Sequence, residues 1–363
     1  MFCPLFALLW SQVCAAAAGP AQTQSQTQTQ STVDRVVQDE GIQESSGLAA
    51  SPLHAGILWT VNDGGGATVF ALGTDGNTAA KIKIKKAPKV NWEAVVSLRN
   101  AGGTPMLAIG DIGDNDEDRA SVDIVLIAEP QKLEDGTILP DLVLRLAYPD
   151  GASDAETLLA DPRTNRLYLV TKTDPGIVHA VPQSVWPGDS NAAAREGQDA
   201  EGVAVRNGRL ERLAPVELPM ATDGTILPDG RLALRSNTDL VLLPAVETWT
   251  RGSTVQPLHT TVLPEQEQGE SLTLSGEHLL LGSEGKNQPI LRLALPGGVN
   301  GTAPTGGADD VTGADGGPPA DLTDSRRQNH LVAWGLGCLV LAVGLGTVLL
   351  RRRRAQEPKN DRQ

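Results

Sequence analysis

DAETLLADPRTNRLYLVTKT, residues 154–173, decides the fold. The acidic Glu156 opens a short apolar run, a turn of Asp, Pro, Thr and Asn follows, and a second apolar run, LYLV, ends on Thr171-Lys172-Thr173. Short apolar runs bounded by turn formers read as buried β-strands joined in a hairpin. The same unit recurs on either side: ESSGLAASPLHAGILWTVNDGG from Glu44, NWEAVVSLRNAGGTPMLAIGDIGDN around Glu93, ATDGTILPDGRLALRSNT around Asp223 and GESLTLSGEHLLLGSEGKN around Glu270. Its acidic positions lie 49, 63, 67 and 47 residues apart, against roughly 40–50 residues for a four-stranded propeller blade. The period predicts an all-β propeller of five or six blades over residues 33–298. A strand from within Thr32–Ile42, added outside the one near Ile290–Leu295, would close the ring and remove its free edges. Asp199–Val203 resembles a further signature, but Glu201 stands too near Asp223 for four strands, so an outer hairpin or a degenerate blade is expected. DGTILPD occurs twice, at Asp135 and Asp223, and only the second copy lies in a repeat unit.

First strands line a propeller's channel, so Glu44, Glu93, Glu156, Asp223 and Glu270 are expected near the axis. Crowded carboxylates take up protons, bind a cation such as calcium, or cap the N–H groups of their own strands. The second strands end in Asn62 and Asp63, Asp111 with Asp114 and Asn115, Lys172, Arg235, and Ser283 with Glu284. At one level these would form a polarised pocket, either a ligand site or a ring of interblade salt bridges. Lys172 and Arg235 stand at apolar strand ends, where an idle charge would be unfavourable. Asp111 joins the channel carboxylates as a candidate metal ligand. Within DIGDNDED, residues 111–118, alternating acids suggest a calcium loop, but Arg119 replaces the glycine and Val125 the bidentate glutamate of an EF-hand. GxSxG, HExxH, GxxxxGK[ST] and CxxC are absent, and His54, His179, His259 and His278 lack ligand spacing. Trp59 and Trp92 follow the repeat and are expected to pack between blades.

Outside the repeat, the ends carry topology. Residues 1–18 have an apolar run ending in alanines that suits an export signal, and a Gln/Thr-rich linker occupies 19–32. Residues 299–330 read as an acidic Gly/Pro spacer and 331–350 as a transmembrane helix, followed by a basic cytoplasmic tail at 351–363. This predicts a single-pass type I cell-membrane protein with its propeller outside. Cys3, Cys14 and Cys338 all fall in the apolar ends, so the propeller has neither thiol nor disulfide. The net charge of -14 argues against a nucleic-acid partner.

ESSGLAAS, LWTVNDGG, NWEAVV, GDIGDN, DAETLL with LYLVTKT, and LLLGSEG together resemble a group of exported bacterial propeller proteins of uncharacterised function. That group is distantly similar to phytase-like and esterase-like propellers and to the SdiA-regulated family. The resemblance implies a secreted or surface propeller. In calcium-dependent phytases acidic residues lining the funnel hold metal, and Glu44, Glu93, Asp111, Glu156 and Glu270 match them here. The basic cluster for a polyphosphorylated ligand is missing, with Lys172 and Arg235 alone in its place. The leading expectation is recognition or scaffolding through a small molecule or surface partner at the funnel. The alternative is a calcium-assisted phosphoester or ester hydrolase, with Asp111, Asp114 and channel carboxylates on the metal and Lys172 and Arg235 on the developing charge.

Overall fold

In the computed structural model, which describes residues 30–186, 196–199 and 202–296, the chain forms five sheets, each beginning with one of the repeat units. Blade one holds β2 (Ser45–Ala50), β3 (Leu58–Asn62), β4 (Thr68–Leu72) and β5 (Thr78–Ile84). Blade two holds β6 (Trp92–Arg99), β7 (Pro105–Asp111), β8 (Val122–Ala128) and β10 (Leu142–Ala147). Blade three is β11 (Ala155–Ala160), β12 (Leu167–Thr171), β13 (Gly176–Ala180) and β16 (Glu211–Val216). Blade four is β17 (Asp223–Ile226), β18 (Leu232–Arg235), β19 (Asp239–Leu243) and β20 (His259–Val262). Blade five is β21 (Gly269–Ser275), β22 (His278–Ser283), β23 (Pro289–Ala294) and, from the other end of the repeat, β1 (Ser31–Val36).

The first strands form the inner ring: β2 contacts β6, β6 contacts β11, β11 contacts β17, β17 contacts β21, and β21 returns to β2. The protein is therefore a five-bladed propeller. Among the described residues the apolar core falls into five clusters, one at each junction between blades. Strands sandwiched in this way are apolar on both faces, which is why LYLV reads as a continuous run. Trp59 and Trp92 pack in the cluster between blades one and two, as expected; their indole N–H groups reach Glu129 Oε1 at 2.8 Å and the Pro88 carbonyl at 2.9 Å. Between the inner strands lies a hollow of about 40 Å³, touched by Leu48, Val96, Ala160, Thr225 and Thr273.

Closure follows the expected route, with β1 antiparallel to β23 in a register that includes Ser31↔Leu293 and Val36↔Pro289. Arg35 fastens the seam, donating from Nη1 to the carbonyls of Gly56, Leu72 and Gly73 in blade one. Residues 196–209 supply β14 (Glu196–Gln198) and β15 (Ala204–Arg209), an outer hairpin on blade two, so the extra signature makes no sixth blade. The first DGTILPD copy gives β9 (Gly136–Ile138), parallel to β5 on the outside of blade one, while the second forms the inner β17. The segments read as export signal, spacer, membrane span and tail lie outside the described residues, as does most of the Gln/Thr-rich linker. Among the described residues no helix is long and apolar enough to cross a membrane.

Gly47 shows how tightly the inner ring is drawn. Its φ is +80°, and a Cβ there would lie 2.6 Å from the amide nitrogen of Val95 on the neighbouring inner strand. Gly47→Ala is expected to destabilise the fold by about 2–4 kcal/mol, combining left-handed strain with a backbone clash. A urea midpoint unchanged from that of the parent protein would refute this.

Candidate functional site

The site is built by a repeated slip in strand register. In blade two Trp92 pairs with Asp111 and then Ala94 with Gly110; in blade three Ala155 pairs with Thr171 and then Thr157 with Val170; in blade five Gly269 pairs with Ser283 and then Ser271 with Gly282. The residues passed over are Glu93, Glu156 and Glu270. A bulge leaves its extra residue out of the ladder and re-aims its side chain, and here three blades deliver a glutamate at one level. Blade one slips one pair further along, at Gly47, and blade four has no slip at all.

The register therefore separates residues that the sequence groups together. Glu44 precedes β2 on the exposed rim, where its carboxylate accepts the Gly64 N–H at 3.0 Å. Asp223 is in register opposite Arg235, is 2% exposed and accepts the Leu272 N–H at 2.7 Å, so it belongs to the wall. The expected ring of five carboxylates is a triad, Glu93, Glu156 and Glu270, with one outlier above and one inside.

The set from the second-strand ends divides as well. Asp111 Oδ1 accepts the N–H groups of Val90 and Asn91 at 2.8 and 2.7 Å, and its Oδ2 pairs with Arg119 at 3.0 Å. Asp114 accepts the N–H groups of Asp118 and Arg119 at 3.1 and 3.0 Å, which caps the DIGDNDED loop. Asn115, Asp116, Glu117 and Asp118 are exposed on that loop. Arg235 is 0% exposed and fastened inside the wall: Nη1 donates to Gln266 Oε1 at 3.1 Å and to the Ser271 and Gly282 carbonyls at 3.1 and 3.2 Å. Gly269 makes room for it, since a Cβ there would lie 1.9 Å from Arg235 Nη2. Asn62 donates to the Gly41 carbonyl at 2.8 Å, and the Ser283 hydroxyl donates to that of Gln268 at 2.6 Å. These are wall and loop fastenings.

Asp63, Lys172 and Glu284 remain with the triad. Lys172 donates to Glu156 Oε1, and the fields of Glu270 and Asp154 also act on it. Glu284 accepts from Ser46 at 3.4 Å and from Gln268 at 2.8 Å. The sequence reading passed over Lys89, Asn91 and Asp154. Lys89 donates to the Asn62 and Asp63 carbonyls, with its ammonium 5.1 Å from the centre of the Trp92 ring. Asn91 Nδ2 donates to Glu93 Oε1 at 2.6 Å, and Asp154 Oδ1 accepts the Asp114 N–H at 2.8 Å. A signal was present: Asn91, Asp154 and Gln268 each stand two residues before a bulge glutamate.

Burial dominates the electrostatics. It pushes Glu93 up to about 9, helped by repulsion from Glu156, Asp63, Asp154 and Glu270. It pushes Glu156 up to about 8, reinforced by Glu270 and opposed by Lys172. Glu270 is raised by burial, and Glu284 is raised to about 7 by burial and then by Glu270 and Asp63. Asp63 is raised by burial against the pull of Lys89, and Lys89 is lowered by the same cause. For Lys172 burial acts downward, but the bond to Glu156 and the surrounding carboxylates hold the ammonium above its ordinary value. At neutral pH Glu93 and Glu156 consequently retain protons and can both donate and accept hydrogen bonds. Among the described residues no group of three or more His, Cys, Asp or Glu side chains is placed to hold a metal ion. A cavity of about 610 Å³ lies on blade four, bordered by Met220, Asn237 and Thr260, and includes none of the triad.

No protein-family model matches the chain, and no curated protein does. Among solved structures it is similar to a gluconolactonase from Xanthomonas campestris, at 15% identity over 73% of this chain and 88% of that one with a TM-score of 0.37. It is also similar to a virginiamycin B lyase from Staphylococcus aureus, at 10% identity over 74% of this chain and 99% of that one with a TM-score of 0.37. A third likeness, to a nidogen/laminin complex, has 11% identity over 67% of this chain and 73% of that one with a TM-score of 0.36. At these values the likenesses carry no argument about activity, and the five-bladed fold rests on the strand pairing itself.

Proposed function

We propose that this propeller recognises a small ligand at the mouth of its channel, in the space bordered by Glu93, Glu156, Glu270, Asp63, Lys172 and Glu284. We place it outside the cell on a single membrane span, a reading that the 331–350 apolar stretch and the arginines after it support. The observation that carries the ligand reading is the matched set of bulges. Three separate blades set glutamates among one another where burial and mutual repulsion work against their ionisation. Packing alone does not call for such an arrangement, and perturbed carboxyls in a concave site are a mark of function.

A calcium-assisted phosphoester or ester hydrolase stands second. Of the residues it would need for metal and charge, Asp111, Asp114 and Arg235 are engaged with main-chain groups and with Arg119 or Gln266.

The test is thermal unfolding of the purified protein with calcium, hexoses, simple amines and phosphoesters, each over a millimolar range. At least one class should raise the midpoint in proportion to the logarithm of its concentration. That rise should vanish in Glu93→Gln/Glu270→Gln. No response to any class, or an undiminished response in the double variant, would remove the proposal.

A further inference from the structure

The funnel already contains one recognised cation, which belongs to the protein. The Lys172 ammonium donates to Glu156 Oε1, and its side chain is 24% exposed, so solvent lies within its reach. Glu156 is 7% exposed, and its other oxygen, Oε2, is buried with no well-aligned hydrogen-bond partner. A buried acceptor in this condition is unfavourable unless a donor arrives.

Three features narrow the donor. Lys89 is held by the Asn62 and Asp63 carbonyls and Lys172 by Glu156, so neither lysine is free to meet an anionic group. The glutamates come from blades two, three and five and do not converge as metal ligands, which need several oxygens about 2.3–2.6 Å from one point. An ammonium accepts longer approaches of about 2.7–2.9 Å and carries three rotatable donors, whereas a guanidinium offers a planar fork suited to one carboxylate.

Resting on the ligand reading above, we propose that the funnel binds a small molecule through a primary ammonium group, which takes the place of Lys172 and donates to Glu93, Glu156 and Glu270. Exchange of one ammonium for another leaves the charge of the cluster unchanged, and Lys172 moves into solvent.

The experiment is titration calorimetry and thermal unfolding of the full chain with ethylammonium chloride, with tetramethylammonium chloride, sodium chloride and calcium chloride as parallel arms. Ethylammonium is expected to raise the midpoint, and tetramethylammonium, which has the charge without N–H donors, is not. Lys172→Met removes the tethered competitor and should tighten ethylammonium binding, while Glu156→Gln should weaken it about tenfold or more, the loss of one charge-assisted hydrogen bond. Should Glu156→Gln fail to fold, Glu93→Gln carries the same expectation. Equal responses to ethylammonium and tetramethylammonium, or no ethylammonium binding in Lys172→Met, would overturn the inference. A response to calcium or to a hexose without one to ethylammonium would overturn it too, yet leave ligand binding at the funnel intact.

Discussion

Arg235→Met is expected to destabilise the propeller by about 3–5 kcal/mol, the range for removing one partner of a buried charged network. The guanidinium bridges blades four and five, holding the Ser271 and Gly282 carbonyls of β21 and β22 together with Gln266. Methionine fills much of the volume and supplies none of these donors, so buried acceptors are left without partners. Asp223, opposite Arg235 in the ladder, also loses its cationic neighbour. For a domain of this size the loss corresponds to a fall in Tm of roughly 6–20 °C. Calorimetry of the single variant and of Asp223→Asn/Arg235→Met checks it: the double variant should recover part of the loss, because the buried carboxyl goes with its partner. A single variant within about 1 kcal/mol of the parent would mean that Arg235 does not clasp the blades.

The second large effect is a loss of stability as pH rises. Glu93 in the fold has its pKa raised to about 9 against an ordinary 4.5, and burial is the main cause. A group whose folded value lies above its unfolded value binds more protons when folded, so its contribution is complete below the unfolded value. That contribution declines as pH climbs from about 4.5 towards 9. One such group changes stability by up to about 1.4 kcal/mol per pH unit across that window. Glu156 and Glu284 act in the same direction, with folded values of about 8 and about 7. Denaturant unfolding at pH 5.5, 7 and 8.5 should show falling stability. Glu93→Gln keeps an acceptor for Asn91 and cannot ionise, so it should flatten the slope and stabilise the fold at pH 8.5 by about 2–4 kcal/mol. An unaltered slope in Glu93→Gln would place the pH dependence elsewhere.

Much of the architecture was legible because the repeat is local. Each unit carries its own apolar runs and turn residues, and closure by the segment beginning near Thr32 follows from an incomplete last blade. The addition of β9 was hard to place, since it pairs with a strand distant in sequence and leaves no periodic signal, whereas Asp199–Val203 marked an outer hairpin or a degenerate blade without saying which blade carries it. The candidate site was half legible. Residue type located Glu93, Glu156 and Glu270, but a slip of one residue decides which acids face the funnel, and Glu44 and Asp223 align with them only while bulges are ignored. Arg235 was assigned to the pocket because its strand ends there, whereas the side chain turns into blade five.

Pairing of β1 with β23 also has a temporal meaning. Ser31 lies opposite Leu293, so the contact that completes the ring joins segments separated by nearly the whole propeller. A chain emerging from a ribosome makes β1 first and its partner last. Until residue 294 has been synthesised, blade five lacks β1, and Arg35 sits on a strand not yet anchored to the last blade. Closure of such a long loop is slow relative to the local hairpins that precede it. The opening blades must therefore wait with an unpaired edge, and the early sequence has to remain soluble in that half-built state.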